Sequence, residues 1–424
     1  MIFQSVLTTL DRLLKKRQIS PQVINKISRL WGKTLLGALW KNSRAVGFIQ
    51  SYGCKPPLFL VISPTSACNL HCQGCYADSG LEKSVLPWAV LDRLLDEAKR
   101  FWGVPLFVFS GGEPMLYRSE GKDLLDLVEK HSDCLFLMFT NGTLIDQETA
   151  NRLSRLGNLT PAISVEGMQA ETDQRRGKGI FSKVLSAMTN LRIAGVPFGI
   201  SIMVTRQNID SILKDEFLDF FFNEQGAFYG FIFQYMPIGR NPQVALIPRA
   251  EEVEKFWRRS WEVVEKKRYF LLDFWNHGPL VEGCIAAGRE NGYFYINWDG
   301  KVMPCVFAPY TTMNLNDVYA HHGTINDIWS DPFFKRIRAW QREYGYGQNN
   351  PDQHGNWLHA CPFRDHHATF MQLVRCSHAQ PEQKGVDPVV SEQLLAQSLA
   401  AISQENLKIR TRIWEKEYLR IHQE

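Results

Sequence analysis

The chain has no run of roughly 18 or more apolar residues, so the sequence predicts no segment that spans a membrane. The opening residues, MIFQSVLTTLDRLLKKRQIS, lack the short apolar run and small-residue cleavage site of a secretory signal. Nine cysteines among 424 residues are too few for a disulfide scaffold. These absences predict a cytoplasmic protein in a reducing compartment, where cysteines bind metals more often than they form disulfides.

The composition, 45% hydrophobic and 22% charged, is that of a globular protein long enough for two domains. Its net charge of +4 is spread unevenly along the chain. Residues 1–54 contain nine Lys and Arg against the single acid Asp11, which gives this segment a charge of +8 and leaves the remainder slightly acidic.

Between residues 58 and 270, short apolar runs alternate with segments of helical periodicity. The runs are continuously apolar, as is typical of buried parallel strands covered by helices. The predicted strands are 58–63, 105–110, 134–140, 161–165, 198–205 and 231–239. The predicted helices are 88–102, 124–131, 147–156, 181–195, 212–225 and 250–267. Six strand–helix units fall short of the eight of a closed barrel, so the sequence predicts an α/β fold with an open, partial (β/α)6 barrel.

The pattern changes after residue 280, where helical periodicity fades and Gly, Pro, Asn and aromatic residues become frequent. Residues 292–305 are predicted to form a hairpin around a two-residue Asp299-Gly300 loop. Residues 391–421 return to helix. We therefore expect a basic helical arm over 1–55, the barrel over 56–270, a smaller α+β domain over 271–385 and a C-terminal helix over 386–424.

Three cysteines, Cys68, Cys72 and Cys75, lie in the segment ACNLHCQGCYA directly after the first predicted strand. A structural zinc site takes four ligands, usually as two separated pairs, and a 4Fe–4S cluster normally takes four thiolates. Three thiolates leave one iron open to an external ligand, such as the amino and carboxylate groups of a methionine moiety. The alternatives are His71 as a fourth ligand, zinc with a distant ligand, or three unrelated loop cysteines.

Two further segments follow the next two strands. SGGEP, residues 110–114, has glycines that permit close approach of backbone to a ligand, and its Glu113 is an acceptor for an ammonium group. TNGT, residues 140–143, contributes Asn141. Both segments lie at carboxyl ends of strands, where barrels of this kind bind ligands, although each alone is also typical of a plain turn.

Cys68, Cys72 and Cys75, together with Gly111-Gly112-Glu113-Pro114, resemble the motifs of the radical S-adenosylmethionine (radical SAM) enzymes over about residues 58–270. The resemblance implies a 4Fe–4S cluster on the three cysteines, with SAM chelating the fourth iron. Transfer of one electron would cleave SAM into methionine and a 5′-deoxyadenosyl radical that abstracts hydrogen from an unactivated carbon.

The resemblance also assigns roles to other side chains near SAM. It implies that Glu113 binds the methionine amino group and that Ser164 faces the ribose or the carboxylate. Many relatives have an aromatic residue before the third cysteine, where this chain has Gly74, so Tyr76 is the expected substitute near the adenine. Arg176, in DQRRGKGIF, is the expected partner of the SAM carboxylate, and Asn208 is a weaker candidate; a solvated charge run and a helix start are the alternatives.

A second cysteine set is predicted to bind one auxiliary 4Fe–4S cluster. The spacing Cys-x15-Gly-x4-Cys resembles the start of the SPASM or twitch type of C-terminal extension in this family, but the dense cysteine run of the larger type is absent. Cys284, Cys305 and Cys361 are the expected ligands. The fourth ligand is left open among Cys376, Asp365, His366 and a bound substrate. A single zinc ion and unligated cysteines are the alternatives, whereas Cys54 and Cys134 stand alone and Cys134 is predicted to lie in the core.

The N-terminal arm is predicted to contain a basic amphipathic helix over residues 21–49. Its bases Lys26, Arg29, Lys33 and Lys41 fall largely between apolar residues at helical spacing. Those apolar residues are Val23, Ile24, Ile27, Leu30, Trp31, Leu35, Leu36, Leu39 and Trp40. Such a helix is typical of a membrane surface, although a helix packed on the barrel with a solvated basic face is also consistent, and nucleic-acid binding is the weakest alternative.

Together these features predict a radical SAM enzyme for C–H activation, supplied with electrons by a low-potential donor such as ferredoxin or flavodoxin. The arm favours a lipid or membrane-associated substrate and a peripheral membrane location. Peptide modification is an alternative, weakened because neither end of the sequence resembles a domain that recognises a leader peptide. A non-enzymatic iron–sulfur electron carrier or scaffold is disfavoured by Glu113, because a scaffold needs no site for the amine of SAM.

Overall fold

The structure, a computed structural model, describes residues 2–39, 43–80, 84–347, 355–382 and 388–419. Its strands, in chain order, are β1 (Phe59–Ile62), β2 (Leu106–Phe109), β3 (Arg118–Ser119), β4 (Lys122–Asp123), β5 (Leu135–Thr140), β6 (Leu159–Val165), β7 (Gly199–Val204), β8 (Tyr229–Gln234), β9 (Leu271–Asp273), β10 (Tyr293–Ile296), β11 (Lys301–Met303), β12 (Tyr310–Thr311), β13 (Met313–Asn314) and β14 (Gln380–Pro381).

The helices are more numerous than the strands and lie mostly between them. They are α1 (Ile2–Lys15), α2 (Pro21–Leu39), α3 (Ser43–Tyr52), α4 (Trp88–Glu97), α5 (Leu124–Lys130), α6 (Gln147–Leu156), α7 (Gln169–Arg176), α8 (Ile180–Ala194), α9 (Ile209–Ile212), α10 (Asp215–Asp219), α11 (Ala250–Glu262), α12 (Leu315–Ala320), α13 (Ile325–Ser330), α14 (Pro332–Glu343), α15 (Pro362–Asp365), α16 (His367–Cys376) and α17 (Pro388–Trp414). None of these described helices combines the length and the apolar character needed to cross a bilayer.

One large sheet organises the described part of the chain, with the strand order β13-β11-β10-β1-β2-β5-β6-β7-β8-β9. The strands from β10 to β9 along this order are all parallel, whereas β11 and β13 are antiparallel additions beyond β10. The six strands predicted from the sequence are the consecutive run β1, β2, β5, β6, β7 and β8. The prediction of a partial (β/α) barrel is therefore confirmed.

The barrel core lies between the strands and the helices that connect them. Leu94 of α4, Val128 of α5, Val184 of α8 and Phe221 after α10 are fully buried against the sheet. Cys134, predicted to lie in the core, is also buried there. The continuous apolar character of the strands is thus explained, because each strand faces helices on one side and the barrel interior on the other.

The sheet extends beyond the predicted barrel at both edges. β9 pairs in parallel with β8, and β10, the first strand of the predicted hairpin, pairs in parallel with β1. The hairpin itself is confirmed by the antiparallel pairing of β10 and β11, but the prediction of a two-residue loop is wrong. The Asn297 side chain accepts hydrogen bonds from the backbone N–H groups of Asp299 and Lys301, which widens the turn to residues 297–300.

One prediction about a helix is also wrong. Residues 212–225 do not form one helix, because Lys214 adopts an extended conformation that separates α9 from α10. Residues 280–380 contain the helices α12 to α16, although helical periodicity fades there. α14 begins at Pro332 and is capped by the Asp331 carboxylate, a local start signal that the weak periodicity obscured.

The N-terminal helices pack on the outside of the barrel. Leu13 of α1 and Val23 of α2 are buried, and the Arg12 guanidinium donates to Oδ1 of Asn223 over 2.9 Å. The alternative of an arm packed on the barrel therefore holds for residues 2–30. Part of the predicted amphipathic stripe lies outside the residues whose side chains the structure describes, namely Trp31, Lys33, Leu35, Leu36, Leu39, Trp40 and Lys41.

Candidate active site

The loop after β1 brings Cys68, Cys72 and Cys75 together at the carboxyl end of the barrel. Burial, together with the nearby Glu113 and the other two thiols, raises the pKa of Cys68 to about 11, although a backbone N–H from Leu70 opposes this. Three neighbouring thiols on one loop are the donor set that a 4Fe–4S cluster requires, so the residues fit that group. His71, the alternative fourth ligand, is exposed.

The segment Gly111-Gly112 lies directly against the cysteine loop. A Cβ on Gly112 would lie 2.2 Å from the carbonyl oxygen of Ala67 and 2.7 Å from that of Ser66. Gly111 has φ +111° and donates its N–H to the Tyr76 hydroxyl. The two glycines are therefore required for the close approach of the loops after β1 and β2.

Glu113 is fully buried beneath this contact. Its carboxylate accepts hydrogen bonds from the hydroxyl of Thr140 (2.8 Å) and from the backbone N–H groups of Asn141 (2.8 Å) and Met115 (3.1 Å). Burial raises the pKa of Glu113, while these bonds oppose the rise. A carboxylate offers about four acceptor positions, so capacity remains for one further donor, such as an ammonium group.

Asn141 connects the loop after β5 to the cysteine loop. Its Nδ2 donates to Oδ1 of Asn69 over 2.8 Å, and Asn69 in turn donates to the hydroxyl of Thr143. Asn69 directly follows Cys68, so TNGT holds the position of the first cysteine. The hydroxyl of Tyr76 serves a similar purpose for the third cysteine, because it lies 2.6 Å from the hydroxyl of Ser110.

Arg176 lies beside the cysteine loop, and its side chain is 12% exposed. Its Nε and Nη2 donate to Oε1 of Glu166 over 2.8 and 2.6 Å. Although burial alone would lower it, Glu166 and the thiols of Cys72 and Cys75 raise the pKa of Arg176. The structure thus places this predicted residue near the cysteines, while the second oxygen of Glu166 has no hydrogen-bond partner among the described residues.

Two residues that sequence analysis missed hold the same loop. Arg175 donates from Nε to the carbonyl of Gln73 over 3.1 Å and also pairs with Glu166. Arg240, after β8, donates to the carbonyl of Cys72 over 3.3 Å, and its backbone N–H bonds the carbonyl of Cys75. Asn208, the weaker candidate, instead ties its side chain to the backbone carbonyls of Glu166 and Met203.

A cavity of about 480 Å³ occupies the barrel interior. Gly74 and Tyr76 of the cysteine loop and Cys284 and Cys361 of the second set all line it, so the cavity extends from the cysteine loop to the second set. Ser164 lies on its wall, as does Ser201 of the neighbouring strand. Much of the wall is aromatic: Phe59, Phe139, Phe231, Phe233, Phe274, Trp275, Tyr293 and Phe307.

Cys284, Cys305 and Cys361 form a second, enclosed thiol group. Burial and the mutual proximity of the thiols raise the pKa of each to about 12. Hydrogen bonds to sulfur are already in place, from the Tyr293 hydroxyl to Cys305 (3.0 Å) and from the backbone N–H of Arg364 to Cys361 (3.4 Å). Such donors stabilise thiolates bound to iron, so these three residues also fit a cluster.

The residues predicted as candidates for the fourth ligand of the auxiliary cluster do not share one environment. Cys376 is exposed at the end of α16. Nε2 of His366 lies 2.9 Å from the carbonyl of His359. Asp365 accepts hydrogen bonds from Arg364 and from the backbone N–H of Cys361. The structure therefore brings three of the predicted cysteines together and holds Asp365 and His366 in other contacts.

Two sequence families match this chain. Residues 62–217 match the Radical SAM superfamily, and residues 284–353 match SPASM, an iron-sulfur cluster-binding domain. The first matched region contains Cys68, Cys72 and Cys75, and the second contains Cys284 and Cys305. The predictions of a catalytic 4Fe–4S cluster, of SAM and of an auxiliary cluster agree with these families.

Several characterised proteins are similar over most of their length. An AdoMet-dependent heme synthase of Methanosarcina barkeri is 27% identical over 66% of this chain and 85% of its own. The mycofactocin maturase MftC of Mycolicibacterium smegmatis is 32% identical over 68% of this chain and 74% of its own. A PqqA peptide cyclase of Granulibacter bethesdensis is 28% identical over 68% and 79%.

Among solved structures, Streptococcus suis SuiB bound to its precursor peptide SuiA has the same fold. The TM-score is 0.57, with 19% sequence identity, and the match covers 71% of each chain.

Proposed function

The chain belongs to the radical SAM superfamily, and on that premise we propose that it activates a C–H bond in an apolar part of a substrate held inside the barrel. The observation that carries this proposal is the cavity between the two cysteine sets. Its wall consists mainly of aromatic and aliphatic side chains, which favour an apolar group because polar groups would lose their hydration there without gaining partners.

Each residue of the site has a proposed role in binding the cluster or SAM. Cys68, Cys72 and Cys75 hold the catalytic cluster, which, with SAM, supplies reductive cleavage of the sulfonium and hydrogen abstraction. Glu113 binds the amino group through its remaining acceptor position, and Arg176 binds the carboxylate. The remaining proposed SAM contacts are Tyr76, Gly111, Gly112, Asn141 and Ser164.

Enzymes of this superfamily need a reductant, and we propose a low-potential carrier such as ferredoxin or flavodoxin. Cys284, Cys305 and Cys361 are proposed to hold the auxiliary cluster on the far side of the cavity. A substrate in the cavity would lie near Cys284 and Cys361, where the auxiliary cluster would supply an acceptor for an electron left on the substrate after hydrogen abstraction.

Deuterium transfer tests the apolar-substrate proposal directly. Anaerobically reconstituted protein is incubated with SAM, a reductant and extracts of cells grown in heavy water. We expect 5′-deoxyadenosine to acquire deuterium from the organic-soluble fraction, because hydrogen abstraction marks the donor. Val108→Trp, which narrows the cavity, should abolish this transfer while iron content is retained; Ile193→Trp, at an exposed position, should leave it unchanged.

Peptide modification is the second candidate, favoured by the PqqA peptide cyclase and the mycofactocin maturase among the relatives. An aromatic or aliphatic side chain of a peptide would also suit the cavity. Treatment of the extract with protease separates the two candidates. Loss of deuterium transfer after proteolysis would identify a peptide donor, and transfer that survives proteolysis would exclude one.

We also propose that α1 attaches the protein to anionic membranes. A stripe of α1 beside its buried face exposes Phe3 (74%), Leu7 (48%) and Leu14 (43%), and exposed bases follow at 15–17. Burial of these apolar side chains in the bilayer would favour membrane binding. Attraction between the basic residues and anionic lipid would add about 1 kcal/mol for each basic residue before salt screening.

Sedimentation with vesicles tests this attachment. The protein should sediment with vesicles of equal parts phosphatidylcholine and phosphatidylglycerol, and less so at high salt. Phe3→Ser combined with Leu7→Ser should abolish sedimentation because it removes the exposed apolar side. Leu407→Ser, at an exposed position of α17, is the matched control and should sediment like the parent. Equal sedimentation of all three proteins, or none, would contradict the proposal.

A further inference from the structure

A buried charge group lies between the second cysteine set and α17. Asp365 accepts two hydrogen bonds from Arg364, from Nε over 2.7 Å and from Nη2 over 2.8 Å. It also accepts the backbone N–H of Cys361 over 3.0 Å. Arg410 of α17 reaches the same carboxylate from the other side, with Nη1 at 3.3 and 3.2 Å from its two oxygens.

Arg364 has a partner for each end of its guanidinium. Its third nitrogen, Nη1, donates to Oε1 of Gln234 over 3.0 Å, and the group lies 4.2 Å from the ring centre of Trp275. The two-bond pairing with Asp365 is the strongest geometry available to an arginine and a carboxylate. The charge of Asp365 is therefore already balanced by Arg364.

Arg410 is left with unused hydrogen-bond donors in the part of the chain that the structure describes. Its side chain is only 1% exposed, and its Nε and Nη2 have no hydrogen-bond partner among the residues that the structure describes. A buried cation with unused donors is costly unless a negative group lies close by. Burial and Arg364 lower the pKa of Arg410 to about 10, so the guanidinium remains protonated near neutral pH.

Two negative groups are near enough to interact with Arg410, besides Asp365. One is Asp273, whose carboxylate already accepts the backbone N–H groups of Trp275 and Asn276 and the Asn276 side chain. The other is Cys361, which carries negative charge once its thiolate binds iron. The anionic auxiliary cluster would therefore add a third negative group to Asp365 and Asp273 around Arg410.

We propose that Arg410 is a positioning residue whose charge raises the reduction potential of the auxiliary cluster at Cys361. One-electron reduction, by the low-potential donor, makes the cluster more negative. A fixed cation in a dry, low-dielectric site stabilises the reduced form more than the oxidised form. The inference rests on the auxiliary cluster alone and does not depend on which substrate the enzyme uses.

The test measures the midpoint potential of the auxiliary cluster by a redox titration followed by electron paramagnetic resonance. The full chain carrying Cys68→Ala, Cys72→Ala and Cys75→Ala serves as the parent, so only the auxiliary cluster contributes to the signal. Arg410→Gln should shift the potential to a more negative value. Arg410→Lys, which retains the charge, should stay close to the parent.

Arg412→Gln is the matched control, because Arg412 lies on the same helix but is exposed and pairs with Glu254. It should leave the potential unchanged. An unchanged potential in Arg410→Gln, or an equal shift in Arg410→Gln and Arg410→Lys, would overturn the proposal. If Arg410→Gln fails to hold iron, Arg410→Lys decides: retention of the cluster with the parent potential supports the role of charge, and loss of iron shows a structural role instead.

Discussion

Replacing Cys68, Cys72 and Cys75 together with alanine is expected to abolish SAM cleavage and to remove one 4Fe–4S equivalent, about four irons per chain. The thiolates are the anchors of the catalytic cluster in the proposed site, and the loop offers no exposed substitute other than His71. Iron and sulfide analysis and chromatography of 5′-deoxyadenosine measure the two effects.

The second thiol group provides an internal reference for that experiment. About four irons should remain in the triple variant, held at Cys284, Cys305 and Cys361. Cys134→Ala is the matched control, because Cys134 is buried and is assigned as a ligand of neither cluster. This variant should keep both clusters. SAM cleavage that persists in the triple variant would contradict the assignment of the catalytic ligands, and zinc in place of the remaining iron would contradict the auxiliary cluster.

Among the proposed substitutions that add a single methyl group, Gly112→Ala is expected to be the most damaging. The new methyl group would lie 2.2 Å from the Ala67 carbonyl oxygen, and neither backbone can retreat, because Glu113 donates its own N–H to that oxygen over 2.7 Å. Overpacking against side chains lowers the free energy of unfolding by roughly 1–3 kcal/mol. A clash between two backbones should lower it by an amount at or above the upper end of that range, because a backbone moves less easily than a side chain. We expect loss of SAM binding and of the catalytic cluster.

Gly47→Ala is the control for that substitution. Gly47 lies in α3, where a Cβ would have no described atom within 4 Å. The change should leave iron content unchanged and stabilise the helix by about 0.5–1 kcal/mol. Thermal unfolding and calorimetric titration with SAM compare the variants. Parent-like SAM affinity in Gly112→Ala would show that the loops after β1 and β2 need not touch.

The sequence was sufficient to predict the features that depend on neighbouring residues. The spacing of Cys68, Cys72 and Cys75, the paired glycines and the continuously apolar strands each report a local requirement, and the structure has all three. Arg240 was not predicted, since its contacts with the cysteine loop join residues that are far apart in the chain. Arg410 was missed for the same reason, because an arginine in a polar helix usually faces solvent.

The edges of the sheet were also beyond local inference. β9 has only three residues, and nothing in their type reveals that they continue the barrel. The turn of the hairpin was mispredicted because Asn297 competes for backbone N–H groups that a two-residue loop would use otherwise. For the N-terminal arm, the periodicity was sufficient to predict a helix. It could not show which face of the helix packs on the barrel.

The parallel pairing of β1 with β10 also bears on how the chain folds during its synthesis. Phe59 pairs with Tyr293, so more than half of the chain separates the partners. Until the ribosome has released β10, one edge of β1 presents unpaired N–H and C=O groups, which are prone to pair with other chains. Closing so long a loop is also slow. The barrel therefore reaches its final form only after the first part of the C-terminal domain, through β10, has emerged, and loading of the catalytic loop with iron is expected to be a late event.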